Sequence, residues 1–276
     1  MSLLVQVSHH SRLFFQPYAY NIMNNITIHY SFSSHKCSEE FNLQLDAETL
    51  EPIANGDDPE PLPVWAKLDY EQCPNCPLTA ETHPYCPLTA NIASTVVRFE
   101  NVTSYDEVQL EVTTSERRYS QETTFQRGIG SLAGLLMATS GCPHTLFLRP
   151  MARFHLPLAT EEETIYRATS AYLLSQYFKS REGDEPDFTL NNLHALYKNL
   201  QTVNTAITRR LRGASETDST INGVILLSIY AKNMPLVIED SLEEIHYLFS
   251  HAPNDARGEC CSLSVIELNG LACIHQ

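Results

Sequence analysis

Between residues 26 and 34 the chain alternates, with Ile26, Ile28, Tyr30 and Phe32 on one face and Thr27, His29 and Ser31 on the other. A period of two marks a half-buried strand. Phe41, Leu43 and Leu45 repeat it after a polar turn, so the two segments are expected to pair as an antiparallel hairpin. Val108, Leu110 and Val112 alternate again, and residues 118–123 read as the return strand. Between the two strand pairs lie an acidic, proline-rich loop over residues 46–63 with Asn55-Gly56-Asp57-Asp58 at its middle, and then a cysteine-bearing segment. An apolar run over residues 92–99 follows and fits a short helix or a strand.

At Phe125 the period lengthens. Phe125, Ile129, Leu132 and Leu136 fall four, three and four apart, which puts them on one helical face. Gly130, Gly134 and Ala138 form a smooth stripe on that helix, expected to admit a close neighbour, and Gly141 should stop it. Thr160 with Glu163 spells a capping box, and Glu161, Glu162 and Glu163 fill a first turn whose dipole favours negative charge. That helix is expected to reach about residue 178. Leu193, Leu196, Leu200, Val203 and Ile207 step by three and four and predict another, ending near residue 212. Residues 221–231 begin a further helix that Asn233-Met234-Pro235 stops or bends, and Leu242, Ile245 and Leu248 mark a last one.

Strands first and helices second predict an α+β fold: N-terminal antiparallel strands with a cysteine-rich loop, followed by a C-terminal helical bundle. The expected divisions are a non-core extension at 1–22, a β-rich region at 23–124 and a helical region at 125–276. Residues 1–22 carry no strong pattern, and Met23 stands directly before the first strand.

Composition narrows the function. The 276 residues can bury a substantial core, and 43 % hydrophobic with 18 % charged content is that of a globular protein. A net charge of −15 leaves little basic surface for sequence-independent binding to nucleic acid. No stretch approaches the roughly 20 apolar residues that span a membrane. The first residues lack the charged start of an export signal, so the eight cysteines point to a reducing cytoplasm, where clustered thiols more often bind metal than pair.

Four of those eight cysteines stand directly before proline: Cys73, Cys76, Cys86 and Cys142. Proline fixes its own φ and biases the preceding residue towards an extended shape, so each thiol is held on a stiff stretch of chain. Cys73 and Cys76 form a Cys-x2-Cys pair, whose sulfurs can converge on adjacent tetrahedral positions. Cys86 can fold back over the intervening residues, and Cys142 would arrive from the helical half. Cys76-Pro-Leu-Thr-Ala80 recurs as Cys86-Pro-Leu-Thr-Ala90, which suggests two similar turns. The leading reading is a zinc site on Cys73, Cys76, Cys86 and Cys142, with His83 and His144 as substitutes for one thiol. An iron–sulfur cluster on the same four is the alternative, because proline rather than glycine follows the second cysteine. Plain packing of the thiols as small hydrophobes is a third.

Two further groups invite chemistry. Cys142 as a nucleophile with His144 or His155 as base is disfavoured by its place after a helix C-terminus, where the dipole opposes a thiolate. Arg149 and Arg153, four apart, would point the same way on a helix and could bind an anionic cofactor or substrate. The plainer reading pairs them with the acidic turn 161–163 or leaves them in water.

The segments IHYSF, FNLQLD, QCPNCPL, CPLTA and TSGCPHTLFLRPMARF together resemble an uncharacterised family of bacterial proteins, over about residues 26–178. The resemblance implies a bacterial cytoplasmic setting and a start near Met23, and it lends no catalytic residue. The function expected from these residues is a structural metal site that joins the β region to a helical region binding a protein partner or a small ligand. The alternative is an iron–sulfur redox or radical enzyme on the same cysteines, with Arg149 and Arg153 beside the cluster.

Overall fold

The structure is a computed structural model describing residues 25–53, 61–99, 101–213, 221–225, 227, 231 and 242–249. The expectations for residues 1–22, the Asn55–Asp58 turn and Asn233-Met234-Pro235, and three of the cysteines (Cys260, Cys261 and Cys273), lie outside these residues.

Four strands, β1 (Asn25–Ser33), β2 (Ser38–Asp46), β3 (Glu107–Thr114) and β4 (Arg118–Thr124), form one antiparallel sheet in the order β2-β1-β3-β4. Tyr30 of β1 lies opposite Phe41 of β2 and Val112 of β3. Because side chains alternate across a strand, this register turns Ile28, Tyr30, Phe32, Leu110 and Val112 to one face, and all are buried.

The helices α1 (Pro87–Arg98), α2 (Phe125–Thr139), α3 (Arg149–Arg153), α4 (Glu161–Glu182) and α5 (Asn191–Arg212) cover that face and build outward from it. α2 follows β4 without a linker, and the Phe125 N–H donates to the Asp106 carbonyl (3.0 Å). Phe32 stacks on Phe125 and meets Phe99 of the α1 exit edge-on, at ring separations of 6.3 and 4.9 Å. A Cβ on Gly128 would come within 2.8 Å of the Phe32 ring, so this glycine is what lets that ring slide under α2. The stripe reading holds for Gly130, whose added Cβ would lie 3.2 Å from the Gly223 carbonyl oxygen.

The apolar run at 92–99 is helical, and the helix begins earlier, at Pro87. The second Cys-Pro-Leu-Thr-Ala copy is therefore a helix start rather than a turn. Proline suits the first helical position, where its missing N–H would be unpaired anyway. Leu88, Ile92 and Val96 then fall four apart and are all buried. α4 runs past the expected end to Glu182 and stops on Gly183, at φ 95°. Its capping box is made: Glu163 N–H donates to Thr160 Oγ1 (3.1 Å) and Thr160 N–H to Glu163 Oε2 (2.8 Å).

One core crosses the boundary expected at residue 124. It joins Ile28 and Phe32 of the sheet, Leu88 of α1, Leu132 of α2 and Ile207 of α5. A smaller cluster lies between α4 and α5, around Ile165, Tyr172, Leu193 and Leu200, and Leu148 touches both. Residues 221–225 are helical, and His246–Leu248 form a short 3-10 turn. Among the described residues, no helix is long and apolar enough to cross a membrane.

Candidate functional site

The cysteine loop is tied at both ends. Leu68 N–H donates to the Pro84 carbonyl (3.0 Å) and Cys86 N–H to the Ala66 carbonyl (2.9 Å), with Lys67 and Tyr85 bridged between them. From the other side comes Arg210, in the last turn of α5 and only 1 % exposed. Its guanidinium donates to the carbonyls of Trp65 (3.1 Å), Lys67 (2.6 Å) and Leu68 (2.9 Å). Its Nε is buried without a partner. A buried cation held by carbonyls alone keeps an unanswered positive charge, and that charge favours a thiolate at Cys73.

Within the loop, Cys76 N–H donates to the Cys73 carbonyl (3.0 Å) and closes a Cys-Pro-Asn-Cys turn. Cys86 is the N-cap of α1 and makes no side-chain capping bond there, so its thiol sits at the positive end of a helix dipole. Gly141, at φ 80°, turns the chain out of α2 and delivers Cys142. The Thr145 N–H donates to the Cys142 carbonyl (2.9 Å), and the backbone N–H groups of His144 and Thr145 favour a thiolate at Cys142. His144 Nε2 donates to the Asn75 carbonyl (2.7 Å), which docks the Cys142 turn directly on the Cys73–Cys76 turn.

All four Cys-Pro thiols thus share one neighbourhood. Cys86 and Cys142 are buried in the main core, and Cys73 and Cys76 pack against it. Burial pushes the Cys73 thiol up to about 12, with charge on Cys86, Cys142 and Cys76 pushing the same way and Arg210 opposing. Burial pushes Cys142 up to about 11, against those two N–H groups. The four are free thiols. Among the described residues no group of three or more His, Cys, Asp or Glu side chains is set at metal-holding distances. His83 is exposed and bonded through Nδ1 to Thr82 Oγ1 (2.8 Å), and His144 is engaged through Nε2 with Asn75. The His155 ring is bonded through Nε2 to Tyr30, away from Cys142.

Arg149 and Arg153 open and close α3. Arg149 pairs with Glu51 (3.1 Å), not with the acidic turn of α4, and its Nε has no partner. Arg153 is exposed, its guanidinium 5.4 Å from the Phe154 ring centre.

A cavity of about 190 Å³ lies among α2, α3, α4 and α5. Leu135, Met137, Met151 and Leu158 supply apolar wall. On one side the Tyr30 hydroxyl is bonded to Ser131 Oγ (3.0 Å) and to His155 Nε2, and the Leu158 N–H donates to the same Ser131 Oγ (3.2 Å). Loss of water, reinforced by Arg167, pushes His155 down to about 3 and keeps it neutral. Arg167 donates from one terminal nitrogen to the carbonyls of Met151 (2.8 Å) and Phe154 (2.7 Å). Asn204, 1 % exposed, gives its N–H to the Leu227 carbonyl (3.3 Å) and leaves its Oδ1 unpartnered. Arg127 completes the polar lining at the start of α2. Among the described residues, no acidic side chain lines this cavity.

Sequence reasoning missed Arg127, Arg167 and Asn204. Asn204 did leave a trace: it lies four residues after Leu200 and three before Ile207, a polar residue on an apolar stripe.

No curated protein and no solved structure matches the chain. Residues 26–250 match one family model, and the chain belongs to that family, a domain of unknown function (DUF6901).

Proposed function

We propose that Cys73, Cys76, Cys86 and Cys142 hold a zinc ion, and that the ion fastens the cysteine loop to the start of α1 and the exit of α2. The helical region steadied in this way binds a ligand, in a cytoplasmic protein. One observation carries the reading: four Cys-Pro thiols from three separate stretches of chain come within electrostatic reach of one another. Three sources of positive potential accompany them, namely the α1 N-terminus, the N–H groups of His144 and Thr145 and the Arg210 guanidinium. As free thiols, the other three oppose ionisation of Cys73, and Cys86 and Cys76 oppose that of Cys142. A divalent cation reverses that, because coordination deprotonates a thiol outright. Binding would draw the sulfurs to about 2.3 Å from the metal, and it would contribute to folding because the unfolded chain has no such site.

The test is metal analysis with a visible spectrum, on protein purified with and without air. The expected result is a colourless protein with stoichiometric zinc. Cys142→Ser should then lose metal and melt several degrees lower, while Cys37→Ser should change neither. A brown, sulfide-containing anaerobic sample would replace zinc by an iron–sulfur cluster. Metal in neither preparation would overturn the site.

A further inference from the structure

We infer that the cavity among α2, α3, α4 and α5 binds an amphipathic carboxylate, with an anionic head at the arginines and an apolar chain along the leucine and methionine wall. This rests on the helical region being ligand-binding and does not depend on the metal.

Charge is the first ground. The chain carries a net −15, yet among the described residues this cavity is lined by two guanidinium groups and no carboxylate. Arg167 spends one nitrogen on two backbone carbonyls, which fixes its fork without neutralising it. Burial weighs against its charge, and Glu163 is the acidic side chain that offsets this. A carboxylate in the cavity would meet the rest of that fork, the geometry in which guanidinium binds such groups best. His155 does not compete, since its bond to Tyr30 and its desolvation hold it neutral.

Shape and apolar surface are the second ground. Arg127 and Ala138 both line the cavity from α2, eleven residues apart, or about 16 Å at 1.5 Å per residue. The wall is therefore long along the helix and charged towards its start. Gly134 keeps it flat, and an added Cβ there would rest at ordinary contact distance, 3.5 Å, from Leu227. Methionines at positions 137 and 151 adapt to chains of differing shape. Each methylene moved from water to such a wall strengthens binding roughly fourfold. The third ground is Asn204, whose buried Oδ1 lacks a donor in a cavity wall. A hydroxyl or N–H on the bound molecule would supply one.

Calorimetric titration of the full chain with octanoate, and with octanol as its neutral match, tests the assignment. Octanoate should bind at least about tenfold more tightly than octanol. Arg167→Gln should remove that preference and leave octanol unaffected. Because Arg167 also holds two carbonyls, Arg127→Gln provides a second arm: it should weaken octanoate severalfold with an unchanged melting temperature. Equal binding of the two probes would overturn the carboxylate assignment while leaving a ligand-binding cavity. Binding of neither would overturn both. An octanoate preference kept in both variants would overturn the role given to the arginines.

Discussion

Residues 76–80 and residues 86–90 are both Cys-Pro-Leu-Thr-Ala, and the two copies fold differently. In the first, the Thr79 carbonyl accepts from the N–H groups of Thr82 (3.2 Å) and His83 (2.9 Å), the chain turns back at the surface, and Leu78 stays half-buried. In the second, the same residues open α1, with Leu88 and Thr89 at 0 % exposure. The difference lies downstream. After Ala80 come Glu81, Thr82, His83 and Pro84, and a helix running through Pro84 would lose a hydrogen bond and clash with the preceding turn. After Ala90 come Ile92, Ala93 and Val96, which give the helix a face to bury. Five identical residues carry no fixed conformation; the apolar period that follows them decides. Both copies nonetheless deliver a thiol to the same place, one from a loop and one from a helix N-terminus.

The comparison can be broken at its leucines, where the largest effect is expected. Leu88→Ala should cost about 2–5 kcal/mol in urea unfolding, as for any fully buried leucine, and Leu78→Ala less than half of that. Equal costs would mean that the first copy is as deeply packed as the second. The threonines give a smaller contrast. Thr89 Oγ1 donates within the core towards the carbonyls of Ala66 (3.3 Å) and Cys86 (3.2 Å), so Thr89→Val should cost about 1 kcal/mol. Thr79 meets Thr82 and the Glu81 carboxylate at the surface, and Thr79→Val should stay within about 0.5 kcal/mol. The last contrast concerns the thiols beside both copies. Cys73 and Cys142 are raised in the folded state, so their contribution is present below the unfolded value near 9 and is lost as pH rises towards 11 and 12. Metal-free protein should therefore show a urea midpoint that declines from pH 8 to about pH 10, and Cys73→Ser should flatten the decline. A midpoint rising with pH would reverse the assignment.

The strands and the long helices were legible because each buries a face, and burial writes its period into the chain. Tyr30 and Phe32 announce β1, and Thr160 with Glu163 announces the start of α4. Their common proline marked Cys73, Cys76, Cys86 and Cys142 as a set in the sequence. What orients them was not legible there, since His144 on Asn75 and Arg210 on Trp65 join positions 69 and 145 residues apart and leave no local pattern. Arg149 and Arg153 looked like an anion site by spacing alone, but Glu51, 98 residues away, takes Arg149. The arginines of the cavity were hidden for a related reason. A cavity is the space that four helices leave, and no single helix encodes it.

The Arg210 clamp also sets an order in time. The carbonyls that receive its guanidinium belong to residues 65–68, beside the first thiols, yet the clamp itself is synthesised 137 residues after Cys73 (210 − 73). At roughly 5–20 residues per second, a ribosome needs about 7–27 s to cover that distance. Cys142 emerges halfway through. For that interval the Cys73–Cys76 turn is open to oxidants and to the cellular metal supply, and α5 then closes over whatever it has acquired.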